Sequence, residues 1–445
     1  MMMLSRLMPM AVAGIVLSVG NASTSHHRVV QISHDELQAF AAKAAATATI
    51  TRDESEQGNG GDGGSNHVDT NNTDIDDDTE RLLDKIEAAF GPHGLGILEV
   101  TNIPSSKVKL REKLLPMAHQ LAHLDEEELE KLLLPETMYS IGWSHGREQL
   151  KDGSYDKSKG SFYVNPFVAV PADASPNRDP PMPMSVQNVF PSEQMPELEA
   201  TMLEMTSFMK QVGLWIVRLC DIYLDRIARS KLQECAYDSE ASGCVASEGA
   251  RDQISPSSLH DSLQSCDNCK ARLLHYFPQQ SALLEGNGDH LNGDDDFDDW
   301  CGWHTDHGSL TALLPGMFLD GNGHELIADQ SSSQGTGPVS GGLYIKPRLN
   351  TSEVVSVALA PTSLGFQVGE TIEIQSGGML QATPHAVRSS SMPNVSRESL
   401  ALFLQPSPQH PLPPMTHLGE TEGNPNAQSL QSRWRPTFGQ FQQAT

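Results

Sequence analysis

The fold is indicated most clearly by the stretch Trp303–Thr311, which reads WHTDHGSLT. It lies among short apolar or alternating runs that are each bounded by turn residues, a texture typical of a β-sandwich or β-barrel. The predicted strands are Arg272–Phe277, Ser309–Leu314, Gly342–Ile345, Val354–Ala360, Ser363–Val368, Ile372–Ile374 and Ser399–Gln405. We therefore expect a carboxy-terminal barrel with a ligand site in its mouth.

Helical patterns dominate the chain before these strands. A short helix is predicted over Glu80–Phe90 and a second helix over about Lys107–Leu133, with a short strand at Ile97–Val100 between them. From Leu198 to Tyr223 apolar residues recur in steps of four and three, which predicts one face of a long helix. The methionines on that face are interpreted as core packing. The fold class is thus α+β, a helical amino-terminal part packed on a β core.

The composition divides the chain into six segments. Arg6, an apolar run and small residues at its end give the start the pattern of a signal or organelle-targeting segment. If the start is instead simply disordered, the protein would be cytoplasmic. The segments are a targeting segment (1–25), a mostly disordered region (26–78), the helical region (79–228), a polar insertion (229–265), the β domain (266–406) and an extended tail (407–445).

Composition excludes several classes of partner. The 445 residues carry a formal net charge of −27, and no cluster of Lys or Arg interrupts this acidic background. Nucleic-acid binding needs a concentrated basic face, so we expect no nucleic-acid partner. No apolar run is long enough to span a bilayer. Nothing in the sequence implies a partner protein.

Six cysteines are too few for a disulfide scaffold in a chain of this length. Cys266 and Cys269 have the spacing of half a zinc site, but a complete site needs four ligands. Incidental loop cysteines are the simpler interpretation, and secretion would favour a disulfide.

His304 and Asp306 are candidate metal ligands because residues two apart on a strand point to the same side. A third ligand, His385, follows in the segment Ala382–Arg388. Two imidazoles and one carboxylate on one face of an octahedral ferrous ion leave three open positions for O₂ chemistry. Each of these residues alone is weak support for a metal site. The prediction rests on finding all three, in this order, among the predicted strands. The adjacent His307 fits a position beside the ligands and a surface loop equally well.

Arg397 and Ser399 are candidates for binding an anionic cosubstrate. They are also two residues apart, so a strand would place both on one face. A guanidinium offers two parallel donors to a carboxylate, such as the distal carboxylate of 2-oxoglutarate.

These motifs carry a family resemblance over roughly Thr79 to Pro406. The stretches Trp303–Thr311, Gly341–Tyr344, Phe366–Glu370 and Arg397–Phe403 resemble the isopenicillin N synthase-like branch of the 2-oxoglutarate/Fe(II) dioxygenases. Arg272–Pro278 and Ser376–His385 resemble a plant and algal subgroup without an assigned substrate.

The resemblance implies a double-stranded β-helix (jelly-roll) core with iron on His304, Asp306 and His385. It also implies that Arg397 and Ser399 bind 2-oxoglutarate. Many members have Asn-x-Tyr where this chain has His275-Tyr276-Phe277, so the tyrosine contact with the cosubstrate is lost or moved to His275 or Tyr276.

The resemblance further implies a metal-dependent oxidoreductase that uses Fe(II), 2-oxoglutarate and O₂, with ascorbate as an optional reductant. Its substrate would be a small organic molecule, most simply hydroxylated with release of succinate and CO₂. Two alternatives remain: an oxidase of the same scaffold that does not consume 2-oxoglutarate, and an inactive jelly-roll protein that binds a metal or ligand.

Overall fold

The computed structural model describes residues 29–57, 76–147, 153–167, 186–237, 258–265, 268–279, 300–326, 341–348, 353–390, 392–413 and 427–444. The strands are β1 (Val30–Ser33), β2 (Ile97–Thr101), β3 (Gly142–His145), β4 (Lys159–Val164), β5 (Lys270–Tyr276), β6 (Cys301–His304), β7 (Leu310–Leu313), β8 (Met317–Leu319), β9 (Gly342–Ile345), β10 (Val355–Val357), β11 (Leu364–Val368), β12 (His385–Arg388) and β13 (Ser396–Leu404). The helices are α1 (His34–Gln57), α2 (Asp77–Phe90), α3 (Ser105–Ala122), α4 (Glu126–Lys131), α5 (Leu198–Tyr237), α6 (Leu259–Gln264), α7 (Glu370–Gln375), α8 (Ala427–Arg433) and α9 (Phe438–Gln443).

Two β-sheets form the centre of the described structure. The larger has the order β1-β2-β11-β7-β13-β5-β4-β3, with β8 also paired to β13, and is antiparallel except for the parallel pair β1/β2. The smaller has the order β10-β9-β12-β6 and is antiparallel. Ile97 of the larger sheet shares a hydrophobic cluster with Ile345 and Val355 of the smaller. A large antiparallel sheet is therefore confirmed as the core of a mixed α and β fold.

The long helix α5 buries the predicted apolar face. Leu198, Met202, Met209 and Ile216 are fully buried in a cluster that also contains Phe366 of β11. Burying such side chains contributes about 1.5–3 kcal/mol each to stability, which explains why the methionines of this stripe serve packing. The interpretation of the stripe as core is confirmed. Among the described helices, none combines the length and hydropathy that a bilayer crossing needs.

Two segments differ here from the sequence-based expectation. Ile372–Ile374, predicted to be a strand, lies in α7, where every residue from Glu370 to Gln375 is buried. When every side chain of a short segment is buried, its sequence shows no alternation of polar and apolar residues that could distinguish a helix from a strand. The region 26–78 contains β1, which pairs with β2, and the helix α1, so it is ordered in part, and residues 58–75 lie outside the described residues.

The tail after Gln405 is not simply extended. It contains α8 and α9, whose Leu430, Phe438 and Phe441 are fully buried in one cluster with Ile374 of α7. Pro- and Gln-rich composition concealed these few apolar anchors, which gain their stability from tertiary packing and not from local propensity.

Candidate metal and cosubstrate site

The structure brings His304, Asp306 and His385 together. Because β12 runs antiparallel to β6, His385 lies directly opposite His304, and their ring centroids are 4.3 Å apart. The Nε2 atoms of His304 and His385 lie 3.9 and 3.8 Å from Oδ1 of Asp306. One ligand atom from each residue thus lies within 4.8 Å of the other two. This donor set, two imidazoles and one carboxylate, is the one expected for non-haem ferrous iron.

Hydrogen bonds orient each of these side chains. The Nδ1–H of His304 donates to Gly302 O at 2.8 Å, and that of His385 donates to Thr383 O at 3.2 Å. Both Nε2 atoms therefore face the site, the arrangement usual for metal-binding histidines. The Thr311 hydroxyl donates to Oδ2 of Asp306 at 2.6 Å and leaves Oδ1 facing the two rings.

The protonation of the two histidines differs. Burial, and then the neighbouring His304, lower the pKa of His385 to about 4, so that its ring is neutral near pH 7. Desolvation also opposes protonation of His304, but the negative charge of the ionised Cys301 sulfur, and after it that of Asp306, outweighs desolvation and raises the pKa of His304 to about 9. Metal binding at His304 would therefore release a proton.

The segment before His385 is fixed by a buried ion pair. Arg348 and Glu373 of α7 pair at 2.6 Å, and their side chains are only 2% and 0% exposed. Glu373 also accepts from the Ala382 N–H at 3.0 Å, and Arg348 Nε donates to Ala382 O at 2.6 Å. Because these contacts act three residues before His385, they hold the third ligand in position.

Glu370 holds the loop that carries the first two ligands. Its buried carboxylate accepts from the Thr305 hydroxyl at 2.6 Å and from Nδ1 of His307 at 2.8 Å. Arg433 of α8 binds the same carboxylate through both terminal nitrogens, at 2.7 and 2.8 Å. The backbone N–H of Glu370 donates to Asp306 O at 2.7 Å. Of the two positions considered for His307, the one beside the ligands is therefore observed, and this histidine supports the ligand loop.

Glu370→Gln should remove an acid-sensitive part of the stability. Burial would raise the pKa of Glu370, but its hydrogen-bond donors outweigh burial and lower the pKa from 4.5 to about 2. The ionised carboxylate thus stabilises the fold fully at pH values above 4.5, the pKa of the unfolded chain. This stabilisation is lost as the pH falls towards about 2, the pKa in the folded state. We expect a loss on the order of 3 kcal/mol at neutral pH and a much smaller loss near pH 2.

Urea unfolding of the wild type and Glu370→Gln across this pH range measures the difference. Glu130→Gln, which changes an exposed glutamate, is the control. A loss of the same size at every pH would contradict the assignment.

Arg397 and Ser399 share one face of β13, as predicted. Nη1 of Arg397 donates to the Ser399 hydroxyl at 3.3 Å, and the guanidinium carbon lies 5.4 Å from the ring centroid of Tyr276. Nε of Arg397 is buried and has no hydrogen-bond partner among the described residues. An unpaired buried donor costs about 1–3 kcal/mol, so this orphaned donor fits an arginine that awaits an anionic ligand.

His275 does not join this face. It pairs across the ladder with Glu398, whereas Tyr276 pairs with Arg397. Because side chains alternate along a strand, the His275 ring lies on the opposite side of the sheet, where its Nδ1–H donates to Glu398 at 2.9 Å. Of the two alternatives for the missing tyrosine contact, the structure places Tyr276 beside the arginine.

Gly316→Ala should weaken binding of the cosubstrate by displacing Arg397. A Cβ at Gly316 would lie 2.6 Å from Nε and 2.8 Å from Cζ of the guanidinium, which is too close for the present position to persist. A displacement of this kind should raise the KM for 2-oxoglutarate roughly ten- to a hundredfold. Gly321→Ala is the matched control, because its Cβ would have no atom nearer than 3.9 Å. Equal KM values for the two variants would contradict this role of Gly316.

Several supporting residues were not predicted. Thr311 and Glu370 lie inside the motifs that resemble the family, but nothing in their spacing assigned them a role. Arg433 and Gly316 have no local signal, because their contacts depend on the tertiary fold. Of the two candidate zinc cysteines, Cys269 is disulfide-bonded, and Cys266 lies outside the described residues.

Comparison with known proteins supports the fold. No protein-family model matches the chain, and no curated protein matches it. A crystal structure of a Caulobacter crescentus protein assigned to the 2OG-Fe(II) oxygenase family aligns over 82% of this chain and 93% of its own, with 16% identity and a TM-score of 0.52. A full-length Neurospora crassa protein crystallised in complex with alpha-KG aligns over 83% and 92%, with 17% identity and a TM-score of 0.50. The chain therefore has the fold of the 2OG-Fe(II) oxygenases.

Proposed function

We propose that this chain is an Fe(II)- and 2-oxoglutarate-dependent dioxygenase that hydroxylates a small organic molecule and releases succinate and CO₂. One combination of features carries the proposal. The protein has both a triad of two histidines and an aspartate and a buried arginine, Arg397, whose Nε has no hydrogen-bond partner among the described residues. The triad alone would suit several metal-dependent activities. The buried cation adds a binding site for a dicarboxylate.

His304, Asp306 and His385 would hold the ion through the atoms that their hydrogen bonds leave free. Ferrous iron, once bound, would supply the activation of O₂. Oxidative decarboxylation of 2-oxoglutarate would provide two of the four electrons that reduce O₂, and the substrate would provide the other two. Arg397, Ser399 and Tyr276 would bind and orient the distal carboxylate of the cosubstrate.

The two sides of the triad differ in exposure, and this indicates where the substrate enters. The side chain of His304 is 41% exposed, whereas those of Asp306 and His385 are 8% and 9% exposed. A substrate would therefore approach past His304. The buried side, which excludes water, would serve the cosubstrate. The jelly-roll core and the helical region packed on it are part of this proposal, as is the resemblance to the isopenicillin N synthase-like branch.

Formation of succinate is the test. Purified full-length protein is incubated with Fe(II), 2-oxoglutarate, O₂ and ascorbate, and succinate is quantified with and without a metabolite pool. The proposal predicts slow succinate formation that rises with a substrate and requires both iron and O₂. O₂ uptake without succinate would instead support the oxidase alternative, and iron binding without either would support an inactive binding protein.

A further inference from the structure

A second group of histidines lies on the outer face of the large sheet. His119 lies in the last turn of α3 and His123 directly follows that helix, and His275 of β5 faces them. The ring centroids of His119 and His123 are 4.2 Å apart, and each lies 5.3 Å from that of His275. One ring nitrogen from each histidine lies within 4.8 Å of those of the other two. Three imidazoles thus converge at a place that the proposed dioxygenase site does not use.

The hydrogen bonds leave nitrogen lone pairs available in this group. The Nδ1–H of His123 donates to His119 O at 2.7 Å, so Nε2 of His123 carries a lone pair. The Nδ1–H of His275 donates to Glu398, and its Nε2 is buried with no hydrogen-bond partner in the described part of the chain. The same holds for Nδ1 of His119. Without a bound ligand, His275 Nε2 and His119 Nδ1 stay unpaired, which costs about 1–3 kcal/mol for each buried atom. A metal ion bound by these atoms would remove that cost.

Glu398 orients His275 within this group. Its side chain is completely buried, lies 2.9 Å from Nδ1 of His275 and is 4.0 Å from Nδ1 of His119. A carboxylate that accepts from the far nitrogen of a histidine is the common way to orient a metal-binding imidazole.

An open cavity gives access to the group. It has a volume of about 510 Å³, and its wall includes His119, His123, Asp320, Asn322, Asn394 and Ser396. His123 is exposed and His275 is only 1% exposed, so the group is open on one side and closed on the other. Three protein ligands with a free position towards solvent match the arrangement of zinc sites that keep a bound water.

We propose that His119, His123 and His275 form a zinc(II) site, with Glu398 holding His275 in its binding orientation and water in the position that faces the cavity. Imidazole ligands favour zinc over magnesium or calcium, which prefer oxygen. The ion would join α3 to β5 and β13. Because Glu398 lies between Arg397 and Ser399 in β13, the two sites occupy opposite faces of one strand.

Metal stoichiometry tests the proposal without any measurement of activity. Untagged full-length protein is stripped with a chelator and titrated with Zn(II) in competition with a chromophoric chelator, and Co(II) is used as a spectroscopic substitute. A variant with Asp306→Ala and His385→Ala, which lacks the proposed iron site, should still bind one equivalent. In this background, Glu398→Gln removes an orienting residue and should weaken zinc binding by about 10- to 100-fold. His123→Ala removes a ligand and should weaken zinc binding by more than about 100-fold.

His123 is exposed, so its replacement should leave the unfolding temperature of the zinc-free protein unchanged. His324→Ala, at a histidine whose side chain is 80% exposed, is the matched control. If the triad variant does not fold, the comparison is made in the wild type, where His123→Ala should reduce two equivalents to one. The proposal would be overturned if the folded triad variant bound no zinc. It would also be overturned if His119→Ala and His123→Ala each bound zinc with the affinity of the wild type.

Discussion

Asp306→Ala is expected to abolish succinate formation, with a loss on the order of 1000-fold or more. Oδ1 of Asp306 is the only carboxylate oxygen within 4 Å of both Nε2 atoms among the described residues. Its removal leaves two imidazoles without a carboxylate, and these hold a ferrous ion far more weakly than the complete triad. Single-turnover and steady-state assays of succinate, together with ferrous-ion binding under anaerobic conditions, measure the effect.

The fold should survive this substitution. Thr311 loses one acceptor, but removal of a buried charge with only one hydrogen-bond donor relieves a desolvation cost. The control is Asp261→Ala, at an aspartate whose side chain is 76% exposed. If Asp306→Ala retained activity within a few fold of the wild type, the aspartate could not be a ligand.

Arg397→Met is expected to raise the KM for 2-oxoglutarate roughly 30-fold or more. Loss of one partner of a buried charge pair costs about 2–5 kcal/mol, and each 1.4 kcal/mol is tenfold in affinity. Arg397→Lys keeps the charge but loses the planar pair of donors, so an intermediate increase is expected. Initial rates at varied 2-oxoglutarate concentration, with iron saturating, provide the values.

Iron binding distinguishes this prediction from a general disturbance of the site. Arg397→Met should bind ferrous ion as the wild type does, because the guanidinium does not contact the triad in the structure. Arg435→Met, at an exposed arginine, should behave like the wild type in both assays. An unchanged KM in Arg397→Met would show that the cosubstrate carboxylate lies elsewhere or that 2-oxoglutarate is not used.

Part of the site could be predicted because its signal is local. Arg397 and Ser399 are two positions apart within β13 and share a face whatever the rest of the fold does. His304 and Asp306 have the same spacing and come together, although β6 ends at His304 and Asp306 lies in the loop that follows. The choice between His275 and Tyr276 was different, because a shift of one position exchanges the two faces of a strand. Only the register of β5 against β13 places Tyr276 beside Arg397.

Contacts between distant segments were beyond prediction. Arg433 reaches Glu370 from the tail, and no periodicity in that tail indicates a helix whose arginine would return to the ligand loop. The histidine group on the outer face is a similar case. His119 and His123 are one helical turn apart and alone suggest little, and His275 joins them only because β5 lies under α3.

The position of iron in crystals of the full-length protein, grown anaerobically with ferrous ion and 2-oxoglutarate, tests the metal-binding role of the triad. Anomalous diffraction at the iron edge should show a peak about 2 Å from Nε2 of His304, Nε2 of His385 and Oδ1 of Asp306. 2-Oxoglutarate density should extend from that peak towards Arg397. A triad with no iron peak, or with His385 turned away from a peak on His304, would show that these three residues do not bind iron together.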